Sequence, residues 1–205
     1  MNLSVELTQL IERLEPIARP GGRGRALMVM GVSRGAGAST VARELARLAA
    51  ARSQRGVWLF DLDFTHNAQA LAARVRGEAY DASFGRETPW QVGAGQVIVR
   101  QSSVRNLYVS EYHAPAGTPL RAALRSSPDY WAALRESIDL AIVDAPGQSR
   151  APADLAGDVD GVILVADARY PNPDGIAARC EAIEARGGVV SGLILNRTGQ
   201  ERSAA

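Results

Sequence analysis

The residues of this chain that could bind phosphate lie in one glycine-rich segment, SRGAGAST over 33–40. Glycines allow backbone N–H groups to close around phosphate oxygens, and the N-terminus of a following helix adds a favourable dipole. The Ser39 hydroxyl stands where such a loop places a ligand of Mg²⁺. The candidate ligand-binding residues of the segment are Arg34, Gly35, Gly37, Ala38, Ser39 and Thr40.

The segment lacks the lysine with which a P-loop grips the β- and γ-phosphates, because the P-loop pattern ends Gly-Lys-Ser/Thr and this one ends Gly37-Ala38-Ser39. The chain contains no lysine at all, and its 23 basic residues are all arginine. One charge-assisted phosphate contact is worth about 1.5–3 kcal/mol. Nucleotide binding is therefore expected to be either lost or weak, through amides, Mg²⁺ and base contacts, and efficient hydrolysis is not expected. Arg34 either supplies the missing charge, as a good phosphate ligand, or solvates the loop or meets an acidic partner.

Two further groups of polar residues end apolar segments. VWLFDLDF (57–64) finishes in Asp61 and Asp63, which suit catalysis or the binding of Mg²⁺ and its waters, with helix capping and loop solvation as the alternatives. LAIVDAPG (140–147) places Asp144 before a Pro-Gly turn, as in the Walker B strand that holds Mg²⁺. Ligands of open α/β sheets bind at the carboxyl ends of the strands. We therefore predict that the metal ligands Ser39, Asp61 and Asp144 lie together.

Helices and strands alternate along the chain, which predicts an α/β fold of three layers with a mainly parallel central sheet flanked by helices. The predicted strands are 26–32, 57–61, 96–100, 107–110, 139–143, 161–165 and 189–195, and the predicted helices are 3–15, 38–54, 67–76, 128–137 and 174–186. Residues 77–95 are predicted to be irregular, and their aromatic side chains indicate either local packing or a docking surface. The predicted organisation is an N-terminal helix and linker over 1–24, a P-loop NTPase-like domain over 25–198 and a short tail over 199–205.

The bulk composition excludes some classes of protein. A formal charge of +1 gives no global electrostatic reason to expect nucleic-acid binding. No apolar run approaches the roughly 20 residues that span a bilayer, and the N-terminus lacks the pattern of a secretory signal. We therefore expect a cytoplasmic protein that reaches a membrane only through a partner.

The order of these motifs resembles the MinD/ParA branch of P-loop ATPases, and more closely the kinase domain of the bacterial tyrosine kinases (BY-kinases) of capsule and exopolysaccharide systems. The matching segments are Ser39-Thr40-Val41-Ala42, Asp61-x-Asp63, Asp144-x-Pro146 and the final strand GLILNR (192–197). The resemblance covers about residues 25–198. It implies ATP or ADP with Mg²⁺ as the ligand, contact of Asn196 with the adenine base, and Arg197 beside it.

Three departures from the family pattern limit what the resemblance implies. Ala38 replaces the Walker lysine, and Ser33 and Arg34 stand where the ParA branch has its extra lysine. The BY-kinase tail is rich in tyrosine, whereas the last tyrosine here is Tyr170, so phosphorylation of its own tail is excluded. We expect a non-kinase relative that regulates a membrane polysaccharide co-polymerase or export protein by contact, with homo-oligomerisation left open.

Two alternative functions remain. One is an active ATPase with an atypical loop, in which Arg34 or a partner residue replaces the Walker lysine. The other is a positioning protein like the TadZ/CpaE pilus-assembly ATPases, which also can carry Gly-Ala-Ser/Thr in the loop. Those proteins usually have an additional receiver-like domain at the N-terminus, for which the first 25 residues leave no room.

Overall fold

The centre of the fold is a strand that is apolar from Ala26 to Met30 and is covered on both faces, as a parallel strand of an α/β protein should be. The computed structural model describes residues 22–84, 87–120, 122–147 and 151–198, together with Leu7 and Glu12. Leu7 is buried in the hydrophobic cluster that includes the helix Ala38–Ala50, and Glu12 forms an ion pair with Arg52. The helix predicted over 3–15 and the tail predicted over 199–205 otherwise lie outside the described residues.

The elements follow one another in the alternating order that the sequence predicts. The strands are β1 (Arg25–Gly31), β2 (Val57–Asp61), β3 (Ala79–Asp81), β4 (Trp90–Gln91), β5 (Gln96–Gln101), β6 (Leu107–His113), β7 (Ala123–Leu124), β8 (Leu140–Ala145), β9 (Gly161–Asp167) and β10 (Val190–Asn196). The helices are α1 (Ala38–Ala50), α2 (Ala68–Ala73), α3 (Pro128–Ser137) and α4 (Pro173–Glu184), and a 3₁₀ turn covers Ala151–Leu155.

Eight strands form one sheet in the order β10-β9-β1-β8-β2-β6-β5-β3. The first six run parallel, and β5 and β3 extend the sheet by antiparallel pairing. Asp61, the last residue of β2, is directly opposite Asp144 of β8 in the register. Because β1, β8 and β2 are neighbours, the loop after β1 and both carboxylates lie at the same edge of the sheet.

The two faces of the sheet are covered by different helices. Val41 and Leu45 of α1 pack on one face, against residues such as Leu27 and Val29 of β1. On the opposite face, Trp131 and Leu134 of α3 and Ile183 of α4 pack with an aromatic group, whose members are Trp58, Phe60, Phe84, Trp90 and Tyr130. The predicted three-layer fold with a mainly parallel sheet is confirmed.

The differences from the predicted elements occur where the pairing is not local. The stretch predicted to be irregular contains β3 and β4, because they pair with β5 and β7 and no local pattern shows those partners. Two of its aromatic residues pack internally, since Trp90 is buried and Phe84 contacts Trp58, whereas Tyr80 contacts Tyr108 but is 42% exposed. No helix in the described part of the chain is both long enough and apolar enough to span a membrane.

Candidate functional site

The loop between β1 and α1 forms one wall of a cavity of about 320 Å³ at the carboxyl edge of the sheet. Gly37 precedes α1 with a φ of 95°. A β-carbon at this position would lie 2.1 Å from Nδ2 of Asn196, so the loop requires glycine here both for its conformation and for the close approach. The first N–H groups of a helix have no partners within the helix. At the start of α1 the N–H of Thr40 donates to the Gly37 carbonyl at 3.1 Å, whereas those of Ala38 and Ser39 have no backbone partner among the described residues and are available to an anion.

The three predicted metal ligands lie together. Ser39, Asp61 and Asp144 line the cavity together. Asp63, the second candidate after β2, also lines the cavity but is half-exposed. Both oxygens of Asp61 accept backbone N–H groups, those of Asp63 at 2.9 Å and Gln69 at 3.0 Å. Asp61 therefore caps the start of α2 while facing the cavity.

Gln69, which the sequence interpretation missed, connects the two carboxylates. It is fully buried, and its Nε2 donates to Oδ2 of Asp144 at 2.6 Å and to the Ser39 carbonyl at 2.8 Å. Its Oε1 accepts from Nη1 of Arg43 at 2.9 Å. The only sequence signal for Gln69 was a glutamine on the inward side of a short alanine-rich helix. A glutamine on the surface of a helix gives the same signal.

Burial perturbs both carboxylates. It raises the pKa of Asp61 to about 6, the charge of Asp144 adds to the effect, and the backbone N–H groups of Gln69 and Asp63 oppose it. Burial likewise raises the pKa of Asp144, against hydrogen bonds from Gln69 and Ser39. In their charged forms the two buried carboxylates therefore cost folding free energy at neutral pH.

The donor set fits a divalent cation bound together with phosphate and water. Oδ1 of Asp144 is buried and has no hydrogen-bond partner among the described residues. Hydroxyl and carboxylate oxygens suit Mg²⁺, which usually binds one or two protein groups and keeps several waters. In the described part of the chain no group of three or more His, Cys, Asp or Glu could hold a metal ion. Ser39 and Asp144 would thus hold Mg²⁺ only with a phosphate ligand.

The opposite side of the loop is held by the residues that end β10. Nδ2 of Asn196 donates to the Ala36 carbonyl at 2.9 Å, and Nη1 of Arg197 donates to the Gly35 carbonyl at 2.8 Å. Arg197 also forms an ion pair with Asp167 at 2.5 Å. Of Asn196 and Arg197, it is Arg197 that lines the cavity. The contact of Asn196 with adenine stays a prediction.

The position of the missing lysine is filled by a methyl group. Ala38 lines the cavity and is 8% exposed, and its backbone begins α1 as the P-loop pattern requires. Arg34 is exposed on the rim of the same cavity and makes no hydrogen bond or ion pair with any residue that the structure describes. The phosphate-binding roles of Arg34, Gly35, Thr40 and their neighbours remain predictions.

We expect Asp61→Asn to stabilise the protein at alkaline pH. The pKa of Asp61 rises from an ordinary 3.8 to about 6 on folding, so its stability contribution is fully present below pH 3.8 and is lost as the pH rises through 6. That difference corresponds to roughly 3 kcal/mol at pH 8. Because asparagine satisfies the two N–H groups less well, a net gain of about 1–2 kcal/mol is expected. Urea unfolding at pH 8 and pH 4.5 measures it.

The control for this experiment is Asp63→Asn, a half-exposed carboxylate two residues further along the chain. We expect the gain of Asp61→Asn over wild type to shrink between pH 8 and pH 4.5, with no comparable trend in the control. Equal destabilisation by Asp61→Asn at both pH values would show that the capping hydrogen bonds outweigh the buried charge.

Comparison with solved structures identifies the fold. The chain is similar to the VpsO kinase domain, with 19% identity and a TM-score of 0.66 over 96% of both chains. It is also similar to the kinase domain of the Escherichia coli tyrosine kinase ETK, with 18% identity, a TM-score of 0.63, and coverage of 97% of this chain and 75% of that one. The cell division ATPase MinD of Pyrococcus furiosus has 18% identity and a TM-score of 0.56 over 86% of this chain and 73% of its own.

The fold is therefore that of the BY-kinase kinase domains and the MinD/ParA-like ATPases, as the motifs indicated. Comparison of the sequence with protein-family models gave no match, and comparison with curated proteins gave none.

Proposed function

We propose that this chain is a BY-kinase-like P-loop protein without kinase activity, which binds Mg²⁺ with ATP or ADP weakly and regulates a partner by contact. The observation that carries the proposal is a cavity at which the phosphate-binding loop keeps its form but lacks the Walker lysine. Ser39 and Asp144 line the same cavity beside the loop, while Ala38 occupies the lysine position.

Binding without efficient turnover follows from which groups remain. The N–H groups at the start of α1 and the Asp144 oxygen without a partner favour a phosphate with its Mg²⁺ ion. Hydrolysis additionally needs positive charge where negative charge develops in the transition state, and removing one such group commonly costs a hundredfold or more in rate. We therefore expect a protein that senses nucleotide rather than one that consumes it.

The partner in this proposal is a membrane polysaccharide co-polymerase or export protein. The likeness of the fold to the kinase domains of VpsO and ETK supports a BY-kinase-like role, and the sequence resemblance to BY-kinases supports the polysaccharide system. The same proposal places the chain in the cytoplasm, recruited to the membrane face by that partner. The TadZ/CpaE-like role is the other regulatory alternative.

An active atypical ATPase is the second candidate function, and the position of Arg34 favours it. Its guanidinium lies at the cavity rim, unpaired within the described residues and therefore able to move onto a bound phosphate. In that case wild type should bind Mg-ATP tightly and release phosphate, and Arg34→Ala should abolish both.

Calorimetric titration with Mg-ATP and Mg-ADP, combined with incubation in labelled ATP, tests the proposal. We expect weak but saturable binding of both nucleotides and no transfer of the γ-phosphate to the chain, because Ala38 stands at the lysine position and residues 171–205 contain no tyrosine. Phosphotyrosine found by mass spectrometry anywhere in the chain would contradict the non-kinase assignment. Failure to bind either nucleotide would remove the nucleotide from the proposal altogether.

A further inference from the structure

Two cations line the cavity, and they differ in how the fold holds them. Arg34 is exposed on the loop, whereas Arg197 is about two-thirds buried and tied to the loop by its bond to the Gly35 carbonyl. A side chain already held in place loses less conformational entropy when it binds a ligand than a free one does. The geometry therefore favours Arg197 over Arg34 as the cation of the site.

The direction of Arg197 is set by an unfavourable backbone conformation. Its φ of 62° is in the left-handed region, which usually costs a non-glycine residue about 1 kcal/mol or more. The Asn196 side chain supports this turn by accepting the Arg197 N–H at 2.9 Å. The turn sends the side chain back from the end of β10 towards the loop, and strain of this kind persists where the surrounding structure maintains it.

The positive charge of Arg197 is only partly neutralised by its acidic partner. Asp167 accepts two hydrogen bonds from the guanidinium of Arg169, at 3.0 and 2.8 Å, and one from Arg197. One carboxylate thus faces two guanidinium groups. The hydrogen bonds from Arg169 and Arg197 hold the pKa of Asp167 well below its ordinary value, so the group carries a net positive charge over the whole physiological range.

The position of Arg197 in the sheet decides which phosphate it can reach. Asp144 and Asp61 end β8 and β2 on one side of β1, whereas Arg197 follows β10 on the other side. Ser39 and Asp144 on the β8 side would hold a Mg²⁺ ion, whose charge would stabilise the β- and γ-phosphates, so those groups would lie towards β8. Arg197 faces the opposite end of the loop, where the phosphate next to the ribose would lie.

We propose that Arg197 is the phosphate-binding cation of this site, which contacts the phosphate next to the ribose and replaces the missing lysine in binding but not in γ-phosphate transfer. This assignment rests on the proposed nucleotide binding and specifies its chemistry. A cation at that end strengthens the binding of ADP as much as that of ATP. It leaves the γ-phosphate without a lysine, and it therefore gives a nucleotide-binding protein with poor hydrolysis.

The test compares Arg197→Gln with wild type for ATP, ADP and adenosine. Glutamine retains a donor for the Gly35 carbonyl but removes the charge. We expect the dissociation constants of Mg-ATP and Mg-ADP, measured by calorimetry, to rise by the same factor of roughly ten or more. Adenosine binding, measured by ligand-observed NMR, should not change. Arg197→Lys should recover part of the affinity, which separates the loss of charge from damage to the turn.

Two matched variants complete the experiment. Arg105→Gln makes the same change at an exposed position before β6, at the opposite edge of the sheet, and should leave binding unaltered. Arg34→Gln should have a smaller effect than Arg197→Gln.

Three results with a wild type that binds nucleotide would overturn the assignment and leave the proposed function standing. The first is a larger loss of nucleotide affinity in Arg34→Gln than in Arg197→Gln. The second is a greater loss of affinity for Mg-ATP than for Mg-ADP in Arg197→Gln, and the third is an equal loss of affinity for adenosine in that variant. A wild type that binds no nucleotide would overturn both proposals.

Discussion

Replacing Ala38 with lysine is expected to tighten Mg-ATP binding about tenfold or more, the return of one charge-assisted phosphate contact. The loop needs no rearrangement for this change, because Gly37 already adopts its left-handed conformation and Ser39 already lines the cavity together with Asp144. Ala38 lines the cavity, so a longer side chain can extend into space that the ligand would share. Calorimetric titration of Mg-ATP into wild type and Ala38→Lys measures the difference.

The matched control places the same charge elsewhere on α1. Ala51→Lys adds a lysine at the exposed C-terminal end of the helix and should leave affinity unchanged. If Arg34 has taken over the role of the lysine, wild type already binds well and Ala38→Lys adds little. If neither wild type nor Ala38→Lys binds, the cavity holds no nucleotide, and the fold is kept for its surfaces alone.

The second large effect is expected for Asp144→Asn, for which binding and stability should change in opposite directions. The carboxylate is 4% exposed and its Oδ1 has no partner among the described residues, which favours the prediction that it binds a ligand rather than stabilises the fold. The amide removes a buried charge beside Asp61 and should raise the midpoint of urea unfolding at pH 8. It also removes a group that binds Mg²⁺, so the affinity for Mg-ATP should fall by roughly tenfold or more and become independent of Mg²⁺.

Asp139, the residue before the same strand, provides the opposite control. Although burial acts to raise its pKa, hydrogen bonds from Arg55, Gln54 and Ser53 hold that pKa below its ordinary value. Its stabilising contribution is therefore present at neutral pH and is lost as the pH falls. Asp139→Asn should lower the unfolding midpoint at pH 8 and leave the response to Mg²⁺ unchanged. The reading of Asp144 as a ligand group would be wrong if both variants lost stability and neither changed binding.

The parts of the site that the sequence predicted are those that strand direction determines. Ser39, Asp61 and Asp144 meet because three apolar segments form neighbouring parallel strands, whose carboxyl ends lie at one edge. This geometry follows from the pattern of alternating elements. The mainly parallel sheet and its covering helices were predictable for the same reason.

The remaining parts depend on contacts that no local pattern encodes. Gln69 contacts the Ser39 carbonyl, 30 positions earlier in the chain, and Asp144, 75 positions later. Such contacts exist only once the sheet has formed. The left-handed conformation of Arg197 is equally hard to predict, because arginine rarely adopts it and the nearby Asn196 and Gly199 indicate a turn without showing which residue takes the positive φ. The family resemblance named Arg197 only as the neighbour of Asn196 in the chain, and the hydrogen bond of Arg197 to the Gly35 carbonyl came only with the structure.

The position of β10 at the margin of the sheet has a consequence for how firmly the loop is held. Among the described strands β10 pairs only with β9, and Leu193 and Leu195 are about half exposed on one of its faces. Peripheral strands open locally at a lower free energy than central ones, and fraying of β10 would withdraw the hydrogen bonds of Asn196 and Arg197 from the loop together. Part of the free energy of any nucleotide binding would then be needed to order β10. A protein segment that pairs along β10 would remove that cost, and by thermodynamic linkage nucleotide would strengthen its docking by the same factor.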